Sequence, residues 1–396
     1  MLEQKLFQLL DAGFEEIVAI RRHLHQYPEL SFQEVKTPAY IASFHEKLGH
    51  EVKRNVGERG VVAVLKGGKL GPTIALRADF DALPIQEETG LPFASKVDGV
   101  MHACGHDGHT ATLLGLARAL NQLQEEIKGT IVFIHQHAEE YAPGGAIAMI
   151  QDGCLDGVDV IFGTHLWATI PYGEVQYRKG PIMSAVDRFE IVIHGQGGHA
   201  GTPHLTKDAI VIGANVVTQL QQVVSRRIDP MKPAVVSIGS FEAMNAFNVI
   251  ADEAKIVGTV RTFHEEVRDE VEKEIKHLVH TICDSAHAKA TVTYERGYPA
   301  VVNHSAETDF LRTCAQSISE VKRTEEMEPM MGGEDFAYYL QHVKGTFFFT
   351  GAKNPAWDVA YPHHHPKFDI DERAMLIAAK VLGKAALHYP NIAREQ

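Results

Sequence analysis

The sequence has few cysteines, no long apolar run and no excess of basic residues. Its four cysteines lie far apart and form no C-x-x-C pair, which argues against a disulfide framework and for a reducing compartment. No apolar stretch is long enough to span a bilayer, and the N-terminal segment carries acids where a signal peptide needs a basic start. The formal net charge of −13 has the opposite sign to that of a phosphate-binding surface. We therefore expect a cytoplasmic protein with no nucleic-acid partner and no membrane partner.

The chain is long enough, and apolar enough, for two domains. It has 396 residues, of which 45% are hydrophobic. Predicted strands alternate with predicted helices in the N-terminal and C-terminal parts, an order typical of an α/β layer with a mostly parallel sheet. Between them the order is β-α-β-β-α-β, which is that of a ferredoxin-like unit. The sequence thus predicts a discontinuous α/β domain, residues 1–183 and 298–396, with an inserted ferredoxin-like domain at residues 184–297.

Residues 101–120, MHACGHDGHTATLLGLARAL, combine metal-ligating side chains with the start of a helix. Cys104, His106 and His109 stand beside two glycines, and an apolar run typical of a helix follows at once. Thiolate and imidazole are ligands that first-row metals such as zinc prefer. The alternative is a polar loop that leads into a core helix, with Cys104 simply buried.

Further polar residues come directly after predicted strands: Asp79, Glu139, Glu140 and His165. Open α/β sheets bind their ligands at the carboxyl edge, so these side chains are expected to lie close together. Of two adjacent carboxylates, one can ligate a metal while the other acts as a general base. The alternative for Glu139 and Glu140 is a solvated acidic turn.

The candidate ligands outnumber those of a single ion. With His364 from a histidine-rich loop, the set at this sheet edge is Asp79, Cys104, His106, Glu139, Glu140, His165 and His364. One zinc ion takes three or four protein ligands, so the set suits two divalent ions, which can activate water and polarise a carbonyl.

The inserted unit offers fewer candidates. His199 lies in GQGGHAGTPH, where glycines allow close approach to a substrate oxyanion, although an ordinary turn residue fits equally well. Arg261 ends a predicted strand and is available for a carboxylate, or is a routine edge-strand arginine. Asn248 can donate an amide hydrogen bond, which alone is a weak signal.

Taken together, these motifs resemble those of the M20 metallopeptidase/amidohydrolase family, in the branch of N-acyl-amino-acid amidohydrolases that includes hippurate hydrolases and aminoacylases. The resemblance covers essentially the whole chain in order. It rests on RRHLHQYPELSFQE, RADFDALPI, MHACGHDGHTA, HQHAEE, GTHL, GQGGHAGTPH, NVIADEAKIVGTVRTF, GGEDF and HHPKFDIDE.

The resemblance implies roles for the candidates in the α/β domain. It implies that this domain is catalytic and that a two-metal centre is held by Cys104, His106, Glu140, His165 and His364. Glu139 is implied as the general base. Asp79 is implied as the acid that orients a metal-binding histidine.

The resemblance also implies that the inserted domain is a lid that dimerises, so we expect a homodimer. His199 is similar to a lid histidine that stabilises the tetrahedral intermediate, in relatives often from the partner subunit. Asn248 and Arg261 match lid positions suited to the substrate carboxylate. One departure is His137, which stands where the branch usually has proline.

The expected function is metal-dependent hydrolysis of the N-acyl amide of a small-molecule N-acyl amino acid, with an acetyl group favoured. The expected cofactors are two divalent ions per subunit, Zn²⁺ or Mn²⁺, with Co²⁺ or Ni²⁺ as further candidates. The alternatives are a dipeptidase or carboxypeptidase with the same two-metal centre, or a noncatalytic metal-dependent binding protein.

Overall fold

The structure is a computed structural model that describes residues 1–392. Its α-helices are α1 (Leu2–Ala12), α2 (Phe14–Gln26), α3 (Lys36–Lys47), α4 (His106–Asn121), α5 (Ala146–Gln151), α6 (Ala209–Gln222), α7 (Glu265–Ser285), α8 (Ser305–Gln316), α9 (Phe336–His342) and α10 (Arg373–Ile392). Its strands are β1 (Glu51–Val56), β2 (Gly60–Lys66), β3 (Lys69–Asp79), β4 (Lys128–Gln136), β5 (Val160–Pro171), β6 (Glu174–Tyr177), β7 (Gly180–Met183), β8 (Ala185–His194), β9 (Gly198–His199), β10 (Ala234–Glu242), β11 (Val249–Ile250), β12 (Glu253–Thr262), β13 (Lys289–Arg296), β14 (Val301–Asn303), β15 (Arg323–Glu326) and β16 (Lys344–Lys353).

The largest sheet has a parallel centre. Its strand order is β1-β2-β4-β3-β5-β16-β6-β15. The pairings of β4 with β3, β3 with β5 and β5 with β16 are parallel, whereas β1 and β2 form an antiparallel edge. The central strands are buried along nearly their whole length, as parallel strands covered by helices on both faces are. The predicted α/β class with a mostly parallel sheet is confirmed.

The chain divides into two compact units. The first, called here the sheet unit, comprises residues 1–182, 302–328 and 335 onward. The second, called the inserted unit, comprises residues 183–301 and 329–334. Its four-stranded sheet is antiparallel in the order β10-β12-β8-β13, and its elements follow the predicted order β-α-β-β-α-β. The predicted roles of the units as catalytic domain and lid stay predictions.

Each unit has its own apolar core. In the sheet unit, α4 and α10 bury apolar faces with β3, β4 and β5, and no side chain of α4 from His106 to Ala117 is exposed. In the inserted unit, α6 and α7 pack apolar residues against β8 and β12. Among residues 1–392, no helix has both the length and the apolar composition needed to cross a membrane.

Three local features differ from the sequence prediction. The helical spacing of apolar residues in the N-terminal stretch predicts one amphipathic helix, but the chain is broken at Gly13 into α1 and α2. Strand β1 was not predicted, because its side chains are mostly exposed and polar. Strand β5 runs on to Pro171, so His165 lies within the strand and not after its end.

Candidate metal centre

The loop before α4 brings Cys104 and His106 to the same place. Gly105 between them has φ +92°, a left-handed conformation that favours glycine, and it turns the chain directly into the helix. Cys104 Sγ lies 3.4 Å from Nε2 of His165, which belongs to β5. The three side chains therefore meet although they come from different elements, and their ligand atoms all lie within 4.8 Å of one another.

The orientation of His106 is fixed by Asp81. His106 Nδ1 lies 3.0 Å from the backbone oxygen of Asp81 and 3.1 Å from its Oδ1, so Nδ1 carries the proton and donates. The opposite nitrogen, Nε2, is then the ring atom that remains for a metal ion or a proton. It is buried, and among the described residues it has no hydrogen-bond partner.

The two adjacent carboxylates face this nitrogen. His106 Nε2 lies 3.8 Å from Glu140 Oε1 and 3.9 Å from Glu139 Oε2. Glu140 Oε1 is also buried with no hydrogen-bond partner in the part of the chain that the structure describes. Glu140 Oε2 lies 3.3 Å from Nε2 of His364.

The remaining histidine candidates, His165 and His364, form hydrogen bonds with backbone groups. His165 Nδ1 donates to the backbone oxygen of Leu166 at 2.9 Å, which turns Nε2 towards Cys104. His364 has φ +65° and its backbone N–H donates to the oxygen of Ala103 at 2.8 Å, which ties the histidine-rich loop to the segment before Cys104.

These donors fit metal ions. Several groups of ligand-type side chains have their ligand atoms within 4.8 Å of one another. Three of them consist of the predicted ligands and Glu139: Cys104–His106–His165, Cys104–Glu140–His364 and His106–Glu139–Glu140. Two buried acceptor atoms that face each other without a hydrogen-bond partner need a cation or a proton between them. The mixture of thiol, imidazole and carboxylate suits zinc or manganese better than magnesium or calcium.

The electrostatics of the centre favour a cation. Burial raises the pKa of the Cys104 thiol well above its usual range, and the charges of Glu140 and Glu139 raise it further. Burial opposes the charge on His106, but Asp79 and Asp81 raise its pKa to about 10. In the absence of a metal, therefore, protons occupy both groups, and a divalent cation would displace them.

Asp79 contacts His109 and Arg77 more closely than it contacts His106, and its role of orienting a metal-binding histidine stays a prediction. Its Oδ1 accepts from His109 Nδ1 at 2.6 Å and its Oδ2 from Arg77 Nη1 at 2.6 Å, whereas His106 Nε2 lies 3.8 Å away. His109 Nε2 in turn accepts from the backbone N–H of Leu166 at 2.9 Å. Burial opposes ionisation of Asp79, yet the charge of Arg77 holds the pKa of its carboxyl well below the usual range.

The acid that sequence reasoning missed is Asp81. Asp79 and Asp81 are two residues apart in RADFDALPI, so a strand places their side chains on the same face. The sequence therefore signals an acid at this strand end without distinguishing the two. The contacts distinguish them, because Arg77 and His109 occupy the carboxylate of Asp79.

Two histidines outside the predicted ligand set, His137 and His363, are close in sequence to Glu139 and His364. His363 Nε2 donates to the backbone oxygen of Leu166 at 3.1 Å, and its ring packs on Trp167 with centroids 4.2 Å apart. His137 is buried with its ring near Phe32. Among the described residues, neither His137 nor His363 belongs to a group of closely spaced metal-ligand atoms.

Two candidates of the inserted unit, His199 and Asn248, lie in or next to the short paired strands β9 and β11. His199 pairs with Val249 between β9 and β11, and the N–H of Ala200 donates to the oxygen of Asn248 at 3.0 Å. His199 and Asn248 are both exposed. His199 Nδ1 accepts from the N–H of Gly201 at 2.9 Å, so its Nε2 carries the proton and is available as a donor.

Arg261 forms hydrogen bonds with backbone oxygens of the inserted unit. On β12, its Nε donates to the backbone oxygen of Met331 at 3.1 Å, and Nη1 donates to that of Val260 at 3.0 Å. Burial lowers the pKa of the guanidinium. The roles of His199, Asn248 and Arg261 in substrate binding stay predictions.

Comparison with known proteins identifies the family. The model of the peptidase family M20/M25/M40 matches residues 75–388. YhaA of Bacillus subtilis is 60% identical over 388 residues, which are 98% of each chain. The chain is 42% identical over 372 residues to the N-acetyl-L-cysteine deacetylase of the same organism (94% of this chain, 88% of the relative), and 42% over 378 residues to thermostable carboxypeptidase 1 of Saccharolobus solfataricus (95% of each).

A solved structure with a similar fold is described as metal-binding. The Bacillus subtilis YXEP protein, described as a dinuclear metal-binding peptidase from the M20 family, has a TM-score of 0.84 and 39% identity. The match covers 96% of this chain and 99% of that chain. The chain thus belongs to peptidase family M20/M25/M40, a family of hydrolases, as the sequence motifs indicate.

Proposed function

We propose that this protein hydrolyses the N-acyl amide bond of N-acyl amino acids, and that N-acetyl amino acids are its preferred class of substrate. The observation that carries the proposal is the gathering of a thiol, three imidazoles and two adjacent carboxylates around His106 Nε2 and Glu140 Oε1. These two buried atoms have no hydrogen-bond partner within residues 1–392. Similarity to the N-acetyl-L-cysteine deacetylase supports the acyl amino acid as substrate class.

Two divalent cations, Zn²⁺ or Mn²⁺ with Co²⁺ or Ni²⁺ as further candidates, would be held by Cys104, His106, Glu140, His165 and His364. When bound, they would polarise the scissile carbonyl and lower the pKa of a water molecule. The dinuclear centre described for the YXEP protein supports the number of ions. The ligand assignment rests on the distances among these five side chains.

Glu139 moves the proton in the proposed reaction. Its carboxylate accepts a proton from the attacking water as the new C–O bond forms, and then gives that proton to the amide nitrogen as the C–N bond breaks. One water is consumed, and a carboxylic acid and a free amino acid are released. His199 donates its Nε2 proton in a hydrogen bond to the tetrahedral oxyanion, while Asn248 and Arg261 bind the substrate carboxylate.

We further propose a homodimer, in line with the resemblance that predicts a dimerising lid. The cytoplasmic location stays a prediction from the cysteine pattern. Neither statement is needed for the chemistry of the centre in the sheet unit.

The second candidate function is that of a carboxypeptidase or dipeptidase with the same centre. It is favoured by the 42% identity to thermostable carboxypeptidase 1. The two functions differ in what lies on the acyl side of the scissile bond, because a dipeptidase must also accommodate a charged α-amino group.

A substrate panel separates these functions. Purified, metal-loaded protein is assayed with N-acetyl-methionine, N-acetyl-cysteine, N-benzoyl-glycine and the dipeptides Gly-Met and Gly-Gly. We expect kcat/KM to be highest for an N-acyl amino acid, and N-acetyl-methionine amide, which lacks the carboxylate, to be a poor substrate. Higher kcat/KM for the dipeptides would favour the dipeptidase function. No turnover of any compound would favour a noncatalytic binding protein.

A further inference from the structure

Two buried carboxyl groups accept hydrogen bonds from the backbone on both sides of Glu139. The N–H of Ala138 donates to Glu34 Oε1 at 2.9 Å, and the N–H of Glu140 donates to Asp81 Oδ2 at 2.9 Å. Asp81 also accepts from His106, so one of the two carboxylates is already part of the candidate centre. Glu34 is the other one, and nothing in the proposed reaction uses it.

Ala138 has a conformation that needs support. Its φ is +51°, in the left-handed region, which costs an L-residue about 1–2 kcal/mol relative to its usual conformations. Ala138 is fully buried, so its N–H has no access to water. The hydrogen bond from Ala138 to Glu34 therefore satisfies a buried donor. It also stabilises the turn that sets the directions of the Glu139 and Glu140 side chains.

Glu34 is itself firmly placed. Its side chain is completely buried, and its backbone oxygen accepts from Arg59 Nη1 at 2.8 Å. Three residues earlier, Ser31 Oγ donates to Asp81 Oδ2 at 2.7 Å. The short segment ELSFQE, residues 29–34, thus contains Glu34 itself and Ser31, which donates to Asp81. Glu34 and Asp81 are the two groups that accept from the backbone around Glu139.

We propose that Glu34 is a positioning residue, which holds Ala138 in its left-handed conformation and thereby sets the directions of the Glu139 and Glu140 carboxylates. The inference deepens the proposed function and rests on it for the role of Glu139. It has a consequence for metal binding that is independent of any substrate, because Glu140 is a candidate ligand.

Glu34→Ala removes the acceptor and Glu34→Gln retains one oxygen at the same place. We expect Glu34→Ala to lower kcat at least about tenfold with KM changed less than about twofold, and Glu34→Gln to retain most of the wild-type kcat. The affinity for Zn²⁺, measured by competition with a chromophoric chelator, should also fall about tenfold or more in Glu34→Ala but not in Glu34→Gln.

Glu29 provides the matched control. It is a carboxylate of the same segment, and it accepts from the N–H groups of Val35, Lys36 and Thr37 at the start of α3, away from Ala138. Glu29→Ala should lower the unfolding temperature while kcat and Zn²⁺ affinity stay at wild-type values. It shows what a loss of stability alone does to the assays.

A double variant tests the conformational part of the proposal. Glycine adopts a positive φ without the penalty that alanine has. Glu34→Ala combined with Ala138→Gly should therefore recover part of the lost kcat and Zn²⁺ affinity, about severalfold.

The proposal is overturned if Glu34→Ala keeps wild-type kcat and Zn²⁺ affinity and only loses stability, as Glu29→Ala does. It is also overturned if Glu34→Gln loses as much as Glu34→Ala, since the acceptor is then not what matters. If the wild-type protein hydrolyses no N-acyl amino acid, the proposed function fails, and the Zn²⁺ affinities still decide on Glu34.

Discussion

Asp81 forms hydrogen bonds with two parts of the candidate centre, His106 and the backbone of Glu140. Its Oδ1 accepts from His106, and its Oδ2 accepts from both Ser31 and the backbone of Glu140. Burial opposes its ionisation, yet the hydrogen bond from His106 lowers the pKa of its carboxyl. A single charged side chain thus fixes the tautomer of one candidate ligand and the backbone of another.

Replacing Asp81 should therefore weaken metal binding. In Asp81→Asn one oxygen can still accept from His106, but the amide NH₂ then faces the donors of Ser31 and Glu140. We expect the Zn²⁺ affinity to fall about 10–100-fold, as is usual when a partner of a ligand histidine is lost. Chelator competition measures this, with Ser31→Ala as the control that removes one donor and should have a smaller effect. An unchanged affinity in Asp81→Asn would show that Asp81 does not support the site.

Glu139 should be needed for turnover and not for metal binding. Glu139→Gln keeps the size and the hydrogen-bonding oxygen of the side chain but cannot accept a proton. We expect turnover to be abolished while metal content, measured on the same sample by elemental analysis, stays near that of the wild type. Wild-type kcat in this variant would remove Glu139 from the mechanism.

At the scale of elements, α2 and α4 pack closely because Gly115 has no side chain. A Cβ added at Gly115 would lie 2.4 Å from Ile17 Cγ1 and 2.6 Å from its Cδ1, closer than real atoms approach. Elsewhere in a helix interior, replacing glycine by alanine stabilises by about 1 kcal/mol. Here the loss of close packing is expected to outweigh that gain.

Gly115→Ala is therefore expected to lower the free energy of unfolding by about 1–3 kcal/mol. Urea denaturation of the wild type and the variant measures the difference. In an Ile17→Ala background, which removes the clashing atoms, the same substitution should be neutral or stabilising. Increased stability of the single variant would contradict this account of α2–α4 packing.

The same pair of helices is joined by a buried histidine. His25 Nδ1 lies 2.8 Å from Asp107 Oδ2 and its Nε2 lies 3.3 Å from Glu87. Burial opposes its charge, but the hydrogen bonds to Asp107 and Glu87 raise the pKa of His25 to about 9. A histidine in an unfolded chain has a pKa of about 6.5.

The sign of the pH dependence follows from that difference. The stability that protonated His25 contributes is fully present below about pH 6.5 and is lost as the pH rises towards 9. We expect the unfolding free energy of wild type to fall over this range more than that of His25→Gln, as measured by urea denaturation at pH 6 and pH 9.5. Equal slopes in the two proteins would show that His25 does not titrate as proposed.

The elements that the sequence predicted well are those whose apolar residues recur with a clear helical or strand spacing. The helix after His106, the buried strand before Gln136 and the β-α-β-β-α-β order of the inserted unit all appear in the structure. The break at Gly13 and the exposed strand β1 were not predicted, because their local pattern does not differ from that of a continuous helix or a loop.

The candidate site was predictable as a set but not in its internal contacts. Ligand-type side chains at strand ends of an α/β sheet predict proximity, and the structure gathers Cys104, His106 and His165. Which of two acids orients His106, and that Glu34 reaches Ala138 from 104 positions away, depends on tertiary packing that no local pattern records.

At the scale of the whole molecule, the candidate centre is built in the sheet unit, whereas three further predicted residues belong to the inserted unit: His199, Asn248 and Arg261. The candidate ligands of the sheet unit form overlapping groups whose ligand atoms lie within 4.8 Å of one another. We therefore expect a cation to bind there with little rearrangement of the chain.

The central claim is that bound divalent cations make this arrangement a hydrolase. The most direct measurement is to remove metal with a chelator, add back Zn²⁺ or Mn²⁺ in steps, and record bound metal and hydrolysis of an N-acetyl amino acid on the same samples. The account predicts no activity in the metal-free protein and a rate that rises with bound metal to saturation at about two ions per chain. Full activity in protein that has been shown to contain no metal would contradict it.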